Sequence, residues 1–453
     1  MSYGTSGSDN ISSNLWRETW SSLGSGSNHT PINGELGSFY RPDGLLANSK
    51  LKWETTISRN FGIDFGFLNN RVNGSLEVYW NTTKDLLMAV PVDNTTGYSY
   101  QFQNFGKTSN RGIELSVNVD VINKGDFRFN VGAIYNYNRN KLDELPNADQ
   151  YLYSSYWGSS SLVPTNDYMF VEGKAIGLVR GFISEGYYTV DDFNYTNGQY
   201  VLKEGVPDIT KALTATYMHP YDLPAGQTAF PGAAKFRDVD ESGTVDLDDA
   251  TCLGEVMPRH TGSFQLNFNY KNFDLSTNFN WTAGGKVYNV AAMINASGQE
   301  FDGIGAQRAS WVAYAFKVYN VNAAGDLYAV TNPDELRALN ANAKYHLPYH
   351  QSGITSSEWL ENGSYLRLQT LTLGYTLPKN WLTKVHVDKI RLYLTATNLF
   401  TITGYSGIDP EVNANPTGQS GFYSDLRIFP TLNMDFGTYP RARTFTFGAN
   451  ITF

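Results

Sequence analysis

The sequence of 453 residues contains a single cysteine, Cys252, so no disulfide can form within the chain. We interpret this thiol as buried or incidental, because no cluster of cysteine and histidine surrounds it. No apolar run approaches the roughly 20 residues that a transmembrane helix needs. The opening, MSYGTSGSDN, lacks the basic start and hydrophobic stretch of a secretory signal peptide. Taken alone, these absences would indicate a cytoplasmic protein.

Charge is also scarce, whereas aromatic side chains are abundant. Charged residues make up 17% of the chain and the net charge is -9, so the sequence offers no basic surface for nucleic-acid phosphates. The chain has 30 tyrosines, 26 phenylalanines, 9 tryptophans and 42 glycines. This length suits either two or three soluble domains or one large β architecture.

The last eleven residues, RTFTFGANITF, alternate between apolar and polar or small side chains. Their apolar positions all have one parity, which predicts a strand with one apolar face; they are Phe445, Phe447, Ala449, Ile451 and Phe453. The apolar face is expected to meet lipid and the polar face a wet lumen. Closure of a barrel would pair this last strand with the first strand and leave no edge.

The same alternation predicts three hairpins and two more strands. One hairpin runs over 53–80 around Asn69 and Asn70. A second covers 111–138 around a three-residue turn at 123–125, and a third covers 263–281 around Lys271 and Asn272. The two further strands are expected at 364–377 and 388–400.

Short and long connections alternate along the predicted strands. The short ones are 68–73, 123–125, 271–272 and 378–387; the long ones are 89–104, 142–258, 287–362 and 401–440. Short periplasmic turns with long extracellular loops are typical of an antiparallel transmembrane β-barrel. The sequence therefore predicts an all-β chain of about 9–10 strands from a larger barrel. Aromatic residues near strand ends would form the interfacial girdles: Trp53, Trp80, Tyr137, Tyr270, Trp281, Tyr375 and Trp381.

Two other classes of protein deserve comparison with the barrel. A soluble, calcium-stabilised β protein that binds glycans would also alternate, but it would bury its apolar face in a core. A glycan-degrading enzyme would need a defined pair of carboxylates in a cleft. Asp409 and Glu411 in GIDPEV lie two positions apart, and we interpret them as part of a structural loop. We therefore predict a protein that is not an enzyme.

The segment DVDESGTVDLDD, 238–249, has the spacing of an EF-hand calcium loop. A hard cation needs six or more oxygen ligands, and this spacing turns alternate side chains inward around a sharp bend at Gly243. Val245 would anchor the loop, and an aspartate at the twelfth position has a shorter reach than glutamate. We predict a structural Ca²⁺ site that braces a loop with little core of its own. The expected ligands are Asp238, Asp240, Ser242, Thr244, Asp246 and Asp249.

A histidine pair is a second candidate metal site. His346 and His350 in HLPYH have a metal-like spacing, but Pro348 between them disfavours a helix that presents both rings. We expect no metal there.

Five stretches together resemble the SusC/RagA family of TonB-dependent outer-membrane transporters. They follow the family's order along most of the chain: 51–87, 106–115 (GKTSNRGIEL), 363–378 (GSYLRLQTLTLGYTLP), 391–412 and 439–453 (YPRARTFTFGANITF). The resemblance implies location in the outer membrane and uptake of oligosaccharides or peptides. It also supports the calcium loop, since many members have a similar acidic loop here.

The resemblance implies several partners. These are a SusD-like surface lipoprotein over the extracellular mouth, outer-membrane lipid, and the barrel-assembly machinery, which would read the terminal Phe453. The TonB system would act through an N-terminal part with signal peptide, small β-domain and plug, none of which we identify here. We therefore expect 1–453 to be the C-terminal portion of the barrel, with 142–258 as a long extracellular connection. Residues 2–11 resemble mid-barrel sequence just after a strand.

Overall fold

A computed structural model gives the fold of this chain. It describes residues 1–9, 15–18, 20–22, 31–32, 35–36, 40–42, 45–98, 100–145, 150–155, 162–214, 219–297, 309–347, 353–382, 387–412 and 433–453. None of the helices in this part of the chain combines the length and apolar character needed to cross a membrane.

Ten strands form one antiparallel sheet in which every strand pairs with its neighbours in sequence order. We number them β1 to β10: Ser2–Ser8, Glu54–Phe67, Val72–Lys84, Lys107–Lys124, Phe127–Glu144, His260–Tyr270, Phe273–Ala283, Tyr365–Thr376, Lys389–Thr403 and Thr444–Thr452. The count agrees with the 9–10 strands predicted. The sheet does not close, since β1 and β10 each have one neighbour, and it therefore forms part of a larger barrel.

The three predicted hairpins and the two further strands are confirmed, with ends that differ by a few residues. The β2–β3 turn uses left-handed backbone at Leu68, Asn69 and Asn70, and the β6–β7 turn uses it at Lys271. The β4–β5 turn is shorter than predicted. Lys124 pairs with Phe127, so only Gly125 and Asp126 lie between the strands. Gly125 adopts a φ of 56°, which suits glycine in a two-residue hairpin turn.

Residues 2–11 differ from the prediction. Ser2–Ser8 is itself a strand, and it pairs along its whole length with Asn60–Glu54 of β2. Its sequence, SYGTSGS, has little of the apolar alternation that marks the other strands. Backbone pairing with β2 holds it in the sheet, which a side-chain pattern does not show.

The register places the apolar side chains of adjacent strands opposite one another. Leu76 pairs with Leu115 and Leu115 with Tyr135, while Leu373 pairs with Leu394 and Leu394 with Phe447. This face is uncovered: Phe447 is 74% exposed. A soluble β protein would bury such a face in a core, so the soluble alternative does not agree with the fold.

The opposite face of the sheet is mainly polar. Asn73 pairs with Asn118, Asn267 with Ser276, and Thr372 with Thr395. A sheet with one apolar and one polar face is the wall of a transmembrane barrel whose lumen contains water. Predicted girdle residues lie near strand ends, with Trp53 and Trp80 near the long loops and Tyr270, Tyr375 and Trp381 near the short turns.

Five long connections leave one end of the sheet, and four short ones leave the other. The connection expected over 142–258 runs over 145–259, because β5 continues to Glu144. The long connections contain short strands: Trp20–Ser22, Pro31–Ile32, Glu35–Leu36, Tyr40–Pro42, Leu45–Leu46, Leu87–Pro91, Tyr100–Asn104, Gln150–Tyr153, Tyr168–Val171, Leu178–Gly181, Ser184–Tyr187, Phe193–Thr196, Gln199–Leu202, Asp208–Ile209, Ala234–Phe236, Thr244–Val245, Thr251–Glu255, Lys286–Asn289, Tyr319–Val321, Leu327–Ala329, Leu360–Asn362 and Met434–Asp435.

Short helices complete the fold. The α-helices are α1 to α5: Lys211–Thr214, Val290–Ser297, Ala309–Tyr314, Pro333–Leu339 and Lys379–Leu382. The 3₁₀ helices are Asn94–Thr96, Val190–Asp192, Leu247–Asp249 and Ser357–Trp359. All except α5, which lies in a short connection, belong to the long connections.

The long connections pack together as an extracellular layer, whose described residues form two large hydrophobic cores and a small cluster of Val287, Tyr405 and Val412. One core combines residues of 182–245 with residues of 316–354, including Phe182, Phe230 and Phe316. The other draws Phe105, Tyr288 and Met434 from three different connections. The connection that contains the acidic loop thus has a core, but Val245 is the residue of 238–249 that belongs to it, and the bend from Asp240 to Thr244 is exposed. Cys252 is exposed, which contradicts the first of the two alternatives given for it, a buried or an incidental thiol.

The assignment of the two faces predicts opposite responses to a charge at neighbouring positions of β4. Val117 lies on the apolar side between Leu115 and Val119, and Asn118 lies on the polar side. Val117→Arg should lower the free energy of unfolding of the full-length protein in lipid vesicles by about 2–4 kcal/mol. Asn118→Arg should change it by about 0.5 kcal/mol or less. Urea titration followed by heat-modifiable gel mobility measures both, and equal losses would contradict the assignment.

Candidate functional site

The acidic loop 238–249 bends out of the extracellular layer between two anchored ends. Val245 is 0% exposed and packs in the first hydrophobic core, as predicted for the anchor. Thr244–Val245 pairs in parallel with Asp208–Ile209. Gly243 has a φ of 87°, so the bend requires glycine at this position.

Three carboxylates converge in this loop. Oxygen atoms of Asp238, Asp240 and Asp249 all lie within 4.8 Å of one another. Asp249 is fully buried, and its Oδ1 accepts a hydrogen bond of 2.6 Å from the Val239 N–H. Its Oδ2 accepts one of 2.8 Å from the Asp246 N–H. These bonds fix the carboxylate in place but leave three negative charges close together.

The other predicted ligands have different positions. Ser242 Oγ lies 3.0 Å from the Thr244 carbonyl oxygen, so both oxygens are near the bend. The Asp246 carboxylate accepts a hydrogen bond from the Asp248 N–H and caps the 3₁₀ helix that follows. It is outside the group of three, and the ninth position of such loops often binds its metal through water.

Hydrogen bonds also bias the protonation of one carboxyl. The Ser242 backbone N–H donates to Asp240 Oδ1 at 3.0 Å. This bond, with a contribution from the Ser242 side chain, lowers the pKa of Asp240 below its usual value. Asp240 therefore stays ionised as the pH falls through the ordinary carboxyl range, which keeps it available as a metal ligand.

The histidine pair is only partly described. His350 lies outside the described residues. His346 is 3% exposed, and its Nε2 lies 3.9 Å from Glu358 Oε2. Burial lowers the pKa of His346 to about 4 and raises that of Glu358 to about 7. The ring packs edge-on against Trp311 in the hydrophobic layer, which is the environment of a neutral core histidine.

A buried ion cluster, which the sequence analysis missed, ties the last long connection to the sheet. Arg367 of β8 is 2% exposed and faces the lumen side. Its Nη2 lies 2.5 Å from Asp409 Oδ1, and its Nη1 lies 3.2 Å from Glu411 Oε2. Arg441 approaches Glu411 at 2.8 Å from the solvent side. Asp409 and Glu411 thus hold a structural loop, as interpreted from the sequence.

The cavity beside this cluster is small. It has a volume of about 110 Å³ and is lined by Tyr365, Glu411, Val412 and neighbouring backbone. Pockets for small-molecule ligands usually measure roughly 300–1,000 Å³. The cavity therefore has room for water but not for a transported oligomer.

The stretch QYLYSSYW, 150–157, is rich in aromatic side chains of the kind that contact sugars and peptides. Tyr153 is buried and stacks on Phe170 at 4.7 Å, so it belongs to the core of the layer. Residues 156 and 157 lie outside the described residues. The described part of this stretch is structural.

The geometry defines a class of protein: part of a transmembrane β-barrel with a folded extracellular layer. The chain belongs to the TonB-dependent receptor-like β-barrel family, whose model matches residues 3–399. It is 29% identical over 453 residues to TonB-dependent receptor P3 of Formosa agariphila, covering 100% of this chain and 39% of that protein. It is 27% identical over 418 residues to TonB-dependent receptor SusC of Bacteroides thetaiotaomicron, covering 90% and 32%.

A solved structure described as the RagAB peptide transporter has the same fold. The TM-score is 0.66 at 21% identity, and the match covers 100% of this chain and 40% of that chain. The matches fit the C-terminal part of a SusC/RagA-type barrel in the outer membrane. The chain spans about two-fifths of the length of the relative from Formosa and about a third of SusC. These relatives are receptors and transporters rather than enzymes.

The ion cluster predicts an asymmetric response to loss of its two arginines. Arg367→Met removes the closer partner of the buried Asp409 carboxylate and leaves only Arg441, whose Nε lies 4.0 Å from Asp409 Oδ2. The loss should destabilise the full-length protein by about 3–5 kcal/mol. Arg441→Met removes a half-exposed partner and should cost about 1 kcal/mol or less. Urea unfolding and proteolysis within 404–412 measure both effects.

The double variant Arg367→Met with Asp409→Leu provides the control. It removes both charges, so it should recover most of the stability lost in Arg367→Met. A double variant as unstable as the single variant would show that packing of the arginine stem, and not charge pairing, dominates.

Proposed function

We propose that this chain forms the C-terminal barrel portion of a TonB-dependent importer that takes up oligosaccharides or peptides. The observation that carries the proposal is the two-faced sheet of ten strands, whose polar face would line the wide, water-containing lumen of a complete barrel. The open sheet provides a little under half of the wall of a 22-stranded barrel. Energy coupling to the TonB system would come from the part of the transporter that carries the plug.

A SusD-like lipoprotein is the proposed partner over the extracellular layer. The hairpin Tyr319–Val321 and Leu327–Ala329 presents an apolar pair to solvent. Val321 is 58% exposed, and Leu327, directly opposite it, is 69% exposed. Tyr314 and Val312 of α3 add further exposed apolar area in the same connection. Exposed apolar groups on a rigid, packed layer are typical of a docking surface.

The terminal strand is a further proposed recognition element. Phe453, which follows β10, is 85% exposed and shares the parity of the apolar face. We propose that Phe453 is the aromatic residue that the barrel-assembly machinery recognises.

A growth experiment tests both import and docking. Cells in which the full-length gene is deleted should lose growth on one class of polymer, oligosaccharide or peptide, and keep growth on the corresponding monomers. The double variant Val321→Arg and Leu327→Arg should reduce that growth and the yield of co-purified lipoprotein, because two charges prevent burial of the apolar pair.

The matched control is Thr196→Arg, which places a positive charge on an exposed polar position of the same layer. It should grow like the wild type. Unchanged growth of the deletion strain on every polymer would overturn the importer proposal. Normal growth and co-purification of the double variant would overturn the docking surface alone.

The acidic loop is proposed to bind one Ca²⁺ through Asp238, Asp240 and Asp249, with oxygens of Ser242 and Thr244 and a water beside Asp246 completing the shell. The donors fit a hard cation, because all are oxygens and three are carboxylates. The positive charge of the ion would offset the repulsion among the three carboxylates. Since Val245 is anchored in the hydrophobic core, calcium would order the exposed bend and not the whole connection.

Calcium titration of the full-length protein by calorimetry tests this site. Asp240→Asn removes one charged ligand at an exposed position and should weaken binding roughly tenfold or more. Asp248→Asn, in the same loop but outside the group of three, should bind calcium like the wild type. Because the pKa of Asp240 is lowered, this ligand should still be ionised, and available to the ion, when the pH falls to the ordinary carboxyl pKa. Absence of any calcium-dependent heat would contradict the proposal.

A further inference from the structure

The outer face of the sheet becomes basic where β2 to β5 approach the long loops. Strand periodicity assigns six cationic side chains to the same face as the apolar residues: Arg59, Lys84, Lys107, Arg111, Arg139 and Lys141. The chain as a whole has a net charge of -9, so this basic region is local. Cationic side chains at this border are positioned to meet anionic headgroups of the membrane.

Two of these cations have a carboxylate partner in the described part of the chain. Lys107 Nζ lies 2.9 Å from Glu144 Oε1, and Lys141 Nζ lies 3.6 Å from Asp143 Oδ1. Among the described residues, no carboxylate lies within 4.0 Å of the charged groups of the remaining four. Four positive charges on the outer face therefore have no ionic partner in the described chain: Arg59, Lys84, Arg111 and Arg139.

Arg111 and Arg139 are the centre of the basic region. They are directly opposite in the β4–β5 register, and both are exposed. Like charges at directly opposite positions destabilise a sheet unless an anion lies between them. Two guanidinium groups with parallel N–H donors match the geometry of a phosphate.

The position of Arg111 and Arg139 in the sheet indicates that the phosphate belongs to a lipid headgroup. The next pair on the same face is Ile113 and Tyr137, where the apolar band begins. Trp80 pairs with Arg111 from the other side and is 41% exposed, as an interfacial tryptophan would be. The guanidinium groups thus lie at the extracellular border of the lipid-facing surface, at the depth of lipid headgroups.

We propose that Arg111 and Arg139 bind the phosphate of an anionic lipid of the outer leaflet, with Arg59 and Trp80 beside it. The lipid is a structural partner of the barrel wall. This inference depends on the location in the outer membrane and on the assignment of the two faces, and it is independent of the transported substrate.

The test uses the full-length protein in nanodiscs of phosphatidylcholine with a small fraction of bisphosphorylated lipid A. Native mass spectrometry counts the lipid A molecules that remain bound. Arg111→Gln with Arg139→Gln should weaken lipid A binding roughly 30-fold, since each basic side chain near a lipid surface contributes about 1 kcal/mol. Arg111→Lys with Arg139→Lys keeps both charges and should retain most of the binding.

Arg128→Gln is the matched control, because Arg128 is an exposed arginine of the same strand on the lumen side. It should bind lipid A like the wild type. Heat-modifiable gel mobility verifies that each variant is folded. Equal binding by the double glutamine variant, or equal binding of lipid A that lacks phosphates, would overturn the proposal.

Discussion

The sheet depends on an unbroken register across ten strands. Side chains alternate with a period of two, so a shift of one residue would turn the polar face of a strand to lipid. The backbone has no alternative partner in the membrane, since every N–H and C=O group must be satisfied by a neighbouring strand. The aligned rows of Leu76, Leu115 and Tyr135 on one face, and of Asn73 and Asn118 on the other, satisfy both conditions together. A free edge at β1 or β10 violates the second condition, which is why the sheet requires the rest of a barrel wall.

The extracellular layer follows a different principle. Its cores combine segments that are far apart in sequence, such as Phe182 and Phe316 in one core. Packing of this kind allows the layer to be rigid although most of its strands are shorter than five residues. The Arg367 cluster then fixes the layer to the barrel, because the guanidinium on β8 holds Asp409 and Glu411 of the last long connection. A platform built in this way can present a docking surface and an acidic bend at defined positions.

The sequence predicted the hairpins well because a membrane strand displays its environment in every second residue. The sequence-based prediction failed where backbone pairing or tertiary packing, and not side-chain alternation, determines the structure. The strand β1 lacks apolar alternation and is held by backbone pairing. The β4–β5 turn was predicted at 123–125 and lies at 125–126, because Asn123 and Lys124 continue β4. The loop cores were missed because their aromatic residues come together only in three dimensions. In the calcium-type loop, the spacing did not reveal the capping role of Asp246, whereas Asp238, Asp240 and Asp249 converge; calcium binding itself stays a prediction.

Directly opposite like charges occur on both faces of the same strands, but their surroundings differ. On the lumen side Glu77 of β3 lies directly opposite Glu114 of β4. On the outer side, three residues along β4, Arg111 lies opposite Arg139. Water in the lumen screens the glutamate pair, and the Asn60 amide donates a 2.9 Å hydrogen bond to Glu77. The arginine pair borders hydrocarbon, where repulsion is screened less, so it needs an anion at the headgroup level. Like charges can therefore lie opposite each other in the lumen without a counter-ion, whereas on the lipid side of the same sheet they favour the binding of an anion.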